Sequence, residues 1–453
     1  MALVLKRSLG RDRVVTDASR LAAWGGDKWF ASQAPDLVLI PQDAEEVAEA
    51  LRLANEYQVP VTPRGAGYGY VGGCVPARGG MVITTERMNS ILEIHPQNFI
   101  AIVQPGVITG DLQRRVEAKK LFYPPDPASL KNCSIGGNIA TNAGGPRCLK
   151  YGVTRNYILG LQVALMDGTL VRLGGCTHKN KAGFDLVSLF VGSEGLLGII
   201  TESILKLLPL PPAQAVISAG FISMKAAATA VQSIFSAGFL PSAVEVADAF
   251  TLKAARQTDH IKNIPTGNAY ILIEVDGQIT SVRSEMRAIV RLLRSKGARN
   301  IATAATPVEC DALWDIRRGF SFALRDTGLT KLNEDIVVPR GRLVDLVHLA
   351  TRLQKSSGFP IACFGHAGDG NIHVNIMAAN YLLPEVSSQV QTVLNELFEQ
   401  VLAWGGSITG EHGIGLAKLP WWPQAISAES HALHQAIKTA VDPQGLLNPG
   451  KFV

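Results

Sequence analysis

Apolar and polar positions along this chain change period several times, and each change predicts an element. In 43–58, Val47, Leu51 and Ala54 recur at helical spacing; Asp43 can cap the first turn, and Glu46 three residues on completes a capping-box pattern. Apolar runs at 36–40 and 59–62 read as strands on either side of that helix. Further strands are expected at 161–166 and 169–173, joined by the turn signal Asp167-Gly168. The run Leu208-Pro209-Leu210-Pro211-Pro212 stops both helix and central strand. Beyond it, helical patterns at 225–237 and 281–295 alternate with strand patterns at 216–221 and 269–275, which is the signature of a helix-covered sheet. Residues 335–339 read as another strand. In Ile372-His373-Val374-Asn375-Ile376 the strict alternation puts His373 and Asn375 on one face.

Size and composition narrow the class. A chain of 453 residues exceeds one hydrophobic core and predicts two or three domains, and 47% hydrophobic with 18% charged residues is an ordinary globular balance. A net charge of +5 without any Lys/Arg block argues against nucleic acid as a partner. No apolar run is long enough to cross a bilayer, and the start MALVLKRSLG is too short in apolar residues for a secretory signal. The six cysteines contain no C-x-x-C pair, which excludes the usual zinc-ribbon and iron-sulfur spacings and fits a reducing cytoplasm. Peripheral attraction to the inner face of a membrane stays open. An onward electron carrier, if one is needed, must sit on another molecule.

Glycine clusters carry the first half. PRGAGYGYVGG (63–73) follows a strand and can bring backbone N–H groups close to an anion, most simply a phosphate, with Arg64 adding charge. Within it, 67–72 matches G-x-G-x-x-G, and Glu86 lies near the distance of a ribose-binding acid. The dinucleotide motif of that kind needs a helix to start inside it, and no amphipathic helix fits the continuation 73–80. A different phosphate-cradling loop is therefore expected. PPDPASLKNCSIGGNIATNAGG (124–145) is built of small residues that give clearance to a planar ligand, with Ser, Asn and Thr side chains to bond its heteroatoms. GSEGLLGIITE (192–202) is the third cluster.

The second half holds two histidine stretches. In FGHAGDGNIHVN (364–375), His366 stands just before a Gly-Asp-Gly turn and His373 on the strand leaving it, so both imidazoles can aim at one point. With Glu411 of GEHGIG (410–415) they make a His2Glu set with an open position, as expected of a catalytic Zn2+ or similar ion such as Mn2+ or Fe2+. His412 is left over, either as a fourth ligand or as a base facing substrate.

These motifs, with DPQGLLNPGK (442–451), occur in the order found in FAD-linked D-2-hydroxyacid dehydrogenases, and the chain resembles that family over 35–453. The group includes the D subunit of glycolate oxidase, D-lactate dehydrogenases and D-2-hydroxyglutarate dehydrogenase, within the vanillyl-alcohol-oxidase (PCMH) type of flavoprotein. The resemblance implies an α+β fold: an N-terminal segment 1–34, a two-subdomain FAD-binding domain 35–211, and an α+β substrate or cap domain 212–453 with an antiparallel sheet. It implies cofactor contacts at Arg64, Gly65, Ala66, Gly67, Tyr68 and Gly69; at Pro125, Asp126, Ser134, Ile135, Gly136, Gly137, Asn138, Thr141, Asn142, Gly144 and Gly145; and at Glu194, Gly195, Gly198, Ile199, Ile200 and Asn448. Relatives with covalent flavin carry a His four residues after the loop Arg; Tyr68 stands there, so non-covalent FAD is expected. His366, His373 and Glu411 match the family's metal ligands, His412 its base and Asn375 a substrate contact. Arg317, in Trp314-x-x-Arg, resembles the Arg that holds the substrate carboxylate; without the resemblance it reads as a solvated charge on a helix face.

The implied reaction is hydride transfer from C2 of a small D-2-hydroxy acid, D-lactate or glycolate, to FAD, with metal-assisted loss of the hydroxyl proton to His412. A quinone, a cytochrome or an iron-sulfur or flavin partner subunit then takes the electrons. The alternatives are a D-2-hydroxyglutarate dehydrogenase, a zinc hydrolase on His366, His373 and Glu411, and a non-catalytic flavin-binding subunit. Trp421 and Trp422 fit either packing between domains or a partner contact.

Overall fold

The computed structural model describes residues 1–258 and 261–453. Two compact units emerge: Met1–Gly144 with Val153–Leu210 and Glu411–Val453, and Gly145–Gly152 with Pro211–Gly410. The break after Leu210 falls inside the proline run, where missing N–H donors end a strand ladder.

The first unit opens with a four-stranded sheet of β1 (Val14–Val15), β2 (Leu37–Leu39), β3 (Val61–Arg64) and β4 (Met81–Thr84), in the order β1-β2-β4-β3. β2, β3 and β4 run parallel, and β1 pairs antiparallel at the edge. Parallel strands need a crossover, and helix Ala44–Glu56 supplies it between β2 and β3. Asp43 caps this helix by accepting from Glu46 N at 2.8 Å, but the Glu46 carboxylate reaches Gln42 N at 2.8 Å, so only half of the expected capping box forms. Val47, Leu51 and Ala54 are buried against Leu39, Met81 and Ile83, as their spacing predicts.

The chain continues through β5 (Ile91–His95), β6 (Ile100–Val103), β7 (Leu121–Phe122), β8 (Ile158–Ala164), β9 (Leu170–Gly174), β10 (Ile199–Lys206) and β11 (Leu208–Pro209). Five of these form an antiparallel sheet ordered β5-β6-β10-β8-β9, while β7 and β11 make a two-stranded ribbon. The returning segment completes this unit: Leu446 and Leu447 enter the core beside Val61 and Met81, and Leu447 bridges Val61 in parallel.

The second unit is one seven-stranded antiparallel sheet ordered β15-β12-β14-β13-β17-β18-β16, from β12 (Ala213–Phe221), β13 (Ala243–Ala247), β14 (Ala269–Gly277), β15 (Arg299–Ala304), β16 (Thr330–Val337), β17 (Ile361–His366) and β18 (Asn371–Ala378). Helices Ala249–Arg256 and Pro307–Arg325 cover one face through a core containing Leu252, Tyr270, Phe320, Phe364 and Met377. On the other, helices Met224–Ser236 and Leu343–Ser357 bring Met224 and Leu346 to Val246, Cys363 and Ile372. The helix-covered sheet expected from the alternating patterns is therefore present.

Candidate functional site

Register decides which side chains of the second unit meet. Glu245 on β13 lies opposite His366 on β17; Phe364 and Ala362 lie opposite His373 and Asn375 on β18; and those two lie opposite Asp335 and Asn333 on β16. Because strand side chains alternate, Glu245, His366, Phe364, His373, Asn375, Asp335 and Lys331 share one face of the sheet. The His366 and His373 ring centroids are 5.6 Å apart at 79°.

Glu245, fully buried, is the hub that sequence reasoning missed. One carboxylate oxygen accepts from His366 Nδ1 at 2.7 Å and the other from Arg317 Nε at 2.6 Å. A carboxylate only accepts, so His366 Nδ1 carries a proton and donates it to Glu245, the outer-shell arrangement typical of ligating histidines. Burial alone would raise the Glu245 carboxyl, but the charges and hydrogen bonds of His366 and Arg317 outweigh it and hold it at about 2.

Helix Pro307–Arg325, closed at its start by a Thr306–Glu309 capping box, turns Arg317 inward beside Ile316 and Phe320. Arg317 is only 9% exposed, which overturns its reading as a solvated charge; that role falls to Arg318, paired with Asp311 and Asp315 at the surface. The Arg317 guanidinium lies 4.8 Å from the Phe364 ring centre, and among the described residues no hydrogen-bond partner meets its two terminal nitrogens. Lys331 Nζ approaches the same ring at 5.8 Å and donates to Ser321 Oγ at 2.7 Å. Burial, then the positive charges of Arg325 and Arg317, push its ammonium down to about 7. Lys331 thus adds a second cation with no signal in the sequence beyond its strand.

Asn375 is fully buried; its amide donates to Ala362 O at 3.0 Å and His373 O at 3.1 Å, while Oδ1 has no partner among the described residues. Asp335 accepts from Asn371 Nδ2 at 2.6 Å, Thr409 Oγ1 at 3.1 Å and Gly410 N at 2.9 Å, so the chain leaves this unit from a fixed point. Glu411 and His412 follow directly and belong to the segment that rejoins the first unit.

In the first unit, the 64–73 loop leaves β3 without any helix, as expected. A cleft of about 830 Å³ opens beside it, lined by Gly65, Ala66, Val107, Arg114, Lys119 and Ser134. Ser134 Oγ accepts from Ala66 N at 3.2 Å and caps helix Ile135–Thr141, and a Cβ on Gly65 would stand 2.6 Å from that oxygen. Arg64 turns back on its own loop, donating to Gly26 O and, at 3.2 Å, to Cys74 Sγ.

Several polar side chains of the 124–145 stretch bond the protein itself. Asn138 Nδ2 donates to Thr109 Oγ1 at 2.6 Å, Thr141 Oγ1 donates to Gly137 O at 3.2 Å, and Asn142 Oδ1 accepts from Arg155 N at 2.9 Å. Gly145 opens the excursion that belongs to the second unit. Asn448, at φ +48, ties the clusters together: its amide donates to Gly73 O at 3.1 Å and Glu194 O at 2.7 Å, and its buried Oδ1 has no partner among the described residues. Trp422 packs edge-on against His434 and Phe452 within this unit, and Trp421 is buried.

Known proteins share this organisation. Residues 210–452 match the family of FAD linked oxidases, C-terminal domain, and residues 35–174 match the FAD binding domain family. The glycolate oxidase subunit GlcD of Bacillus subtilis is 41% identical over 92% of this chain and 89% of its own length. A D-lactate dehydrogenase of Anaerostipes hadrus is 33% identical over 93% and 90%. The structure of p-cresol methylhydroxylase superposes with a TM-score of 0.80 at 18% identity, covering 100% of this chain and 96% of that one, which shows a shared PCMH-type α+β fold. By both halves of its sequence, the chain belongs to the FAD-linked oxidases.

Proposed function

We propose that this protein oxidises a small D-2-hydroxy acid, D-lactate or glycolate, to the 2-oxo acid and passes the electrons to a quinone, a cytochrome or a partner subunit with an iron-sulfur or flavin centre. In this reading residues 35–211, with the returning segment 411–453, serve the cofactor, and 212–410 serve the substrate. The observation that carries it is Arg317, buried beside the His366–His373 pair with its terminal nitrogens available, because a guanidinium fork matches a carboxylate with two parallel hydrogen bonds.

The residues present fit FAD. The buried Oδ1 of Asn448, with its own amide anchored on the 64–73 and 192–202 loops, is an acceptor in want of a donor such as a flavin ring N–H. Tyr68 supplies no imidazole for a covalent link, in keeping with non-covalent binding. Bound FAD supplies the two-electron acceptor. His366, His373 and Glu411 are the donor set for a divalent ion, Zn2+ first and Mn2+ or Fe2+ also suited, which supplies Lewis acidity to an alcohol. Arg317 grips the carboxylate and sets which face of C2 is presented. Asn375 Oδ1 is the acceptor for a substrate hydroxyl or its neighbour. His412 removes the hydroxyl proton.

A second reading, a diacid such as D-2-hydroxyglutarate as substrate, is favoured by Lys331, which sets another cation on the Phe364 ring beside Arg317. No helix among the described residues is long and apolar enough to cross a membrane, and a quinone acceptor in this scheme places the protein against the membrane's inner face.

Anaerobic bleaching of the flavin absorbance across D- and L-2-hydroxy acids, with and without chelator, tests these readings together. D-acids are expected to bleach it, chelator to stop them, and His412→Ala to keep FAD while slowing bleaching by about 10²–10⁴-fold. Lys331→Met separates the substrates: it weakens only the diacid if Lys331 holds a distal carboxylate. Unimpaired bleaching by His412→Ala refutes the base assignment.

A further inference from the structure

Glu194 lies in the third glycine cluster, where a cofactor contact is expected, but its carboxylate is used elsewhere. Its oxygens accept from Ile414 N at 2.7 Å and Gly415 N at 2.8 Å, across 220 and 221 residues of chain. It is 9% exposed and sits at φ +50, a left-handed conformation that costs energy for a non-glycine residue. Its own N–H donates to Ala140 O at 2.8 Å, and its carbonyl accepts from Asn448. Every polar group of Glu194 is thus tied to a neighbouring loop.

The receiving segment is shaped to this contact. Gly413 has φ +87, and a Cβ there would lie 2.6 Å from Glu194 Oε1; Gly415 has φ +50, and its Cβ would lie 2.3 Å from Val71 O. Leu416 N and Ala417 N both donate to Val71 O, at 2.7 and 3.0 Å. The residues after His412 are therefore clamped from two sides, by Glu194 and by the end of the 64–73 loop. His412 itself stacks on Tyr70 of that loop, ring centres 5.2 Å apart at 31°.

We propose that Glu194 is a positioning residue for the proton-accepting imidazole: its carboxylate holds the 413–415 backbone so that His412 is locked against Tyr70. The proposal rests on the reading of His412 as the base. The glycines at 413 and 415 follow from it, since any side chain at 413 would displace the carboxylate. Binding of the cofactor loops and placement of the base are then one event, because the same two loops make both.

The experiment uses the holoenzyme and two variants, Glu194→Gln and Gly413→Ala. Glu194→Gln keeps the shape but turns an amide donor toward one of the two N–H groups. Expected are retained FAD, an unchanged KM, a kcat lowered by about 100-fold, as misplacement of a reacting group by an ångström can cost, and hydrogen exchange of the Ile414 and Gly415 amides faster by about 10-fold or more. Gly413→Ala should reproduce both effects with Glu194 intact. In a His412→Ala background, Glu194→Gln should add no further loss, because both changes act through one imidazole. Unchanged amide exchange and kcat in Glu194→Gln overturn the proposal. So does loss of FAD with effects that add to those of His412→Ala, which would make the carboxylate a cofactor group. If His412→Ala stays fully active while Glu194→Gln still speeds amide exchange, it is the base assignment that fails and not the clamp.

Discussion

Glu245 stays ionised without any contact with water because His366 and Arg317 each give it a hydrogen bond and a positive or polarisable partner. Breaking such a buried set from one side leaves an uncompensated charge and typically costs about 3–5 kcal/mol. Glu245→Gln removes the charge but keeps the shape, so the expected loss is in orientation of His366 and the basicity of its Nε2. Affinity for the proposed divalent ion, measured by competition with a chromophoric chelator, is expected to fall by about 10–100-fold. Arg318→Gln, which touches only the exposed Asp311 and Asp315, should leave it unchanged. The two histidines were legible because Gly365, Gly368 and Gly370 surround the first and strict alternation sets the second on the strand that leaves their turn. Glu245 was not: Ala243-Val244-Glu245-Val246-Ala247 reads as an ordinary strand, and its partner is 121 residues away.

At the scale of elements, everything on the polar face depends on the β13–β17 register, since a slip of one residue would turn His366 to the other side. Asp248 pins that register. Its N–H donates to Cys363 O at 2.9 Å, and its carboxylate accepts from Cys363 N at 2.7 Å while capping helix Ala249–Arg256 through Thr251 N at 2.9 Å. Burial raises its carboxyl from 3.8 to about 6 against these hydrogen bonds. The unfolded chain then ionises first as pH rises: the native state holds a proton that the unfolded state has lost, and stability falls between about pH 4 and 6. Above pH 6 the penalty is complete, of the order of 3 kcal/mol. Asp248→Asn should flatten this part of the pH dependence, read as melting temperature against pH; an unaltered slope would show that another group is responsible. The helix carrying Arg317 tells a similar story. The sequence alone placed Arg317 on a helix face as a solvated charge, but which side of the helix faces the sheet was decided by Phe320 and Leu324 entering the core.

For the whole molecule, the return of the last segment matters most. Val61 is bridged by Leu447, Lys438 Nζ binds Leu196 O and Leu447 O, both at 2.7 Å, and Asn448 joins two glycine loops. A fragment ending at residue 210 lacks all of these and exposes the core faces that Leu446 and Leu447 cover. Such a fragment is expected to purify without yellow colour, and fusing 411–453 to it through a short linker to recover FAD absorbance; a yellow 1–210 fragment would contradict this.

Local pattern alone determined the helix after Asp43, the 167–168 hairpin, the proline break, the helix-free course of the 64–73 loop and the imidazole pair, because each depends on residues within one or two turns of one another. The glycine clusters and histidine stretches also pointed to an FAD-linked oxidase. Only the tertiary structure decided the rest: that Glu245 braces His366 and Arg317, that Lys331 joins them, that Asn138, Thr141 and Asn142 bond the protein itself, and that Glu194 grips the backbone beyond His412. Those contacts join residues far apart in the chain, and a buried charge or amide takes its partner from whatever strand register and loop closure bring beside it.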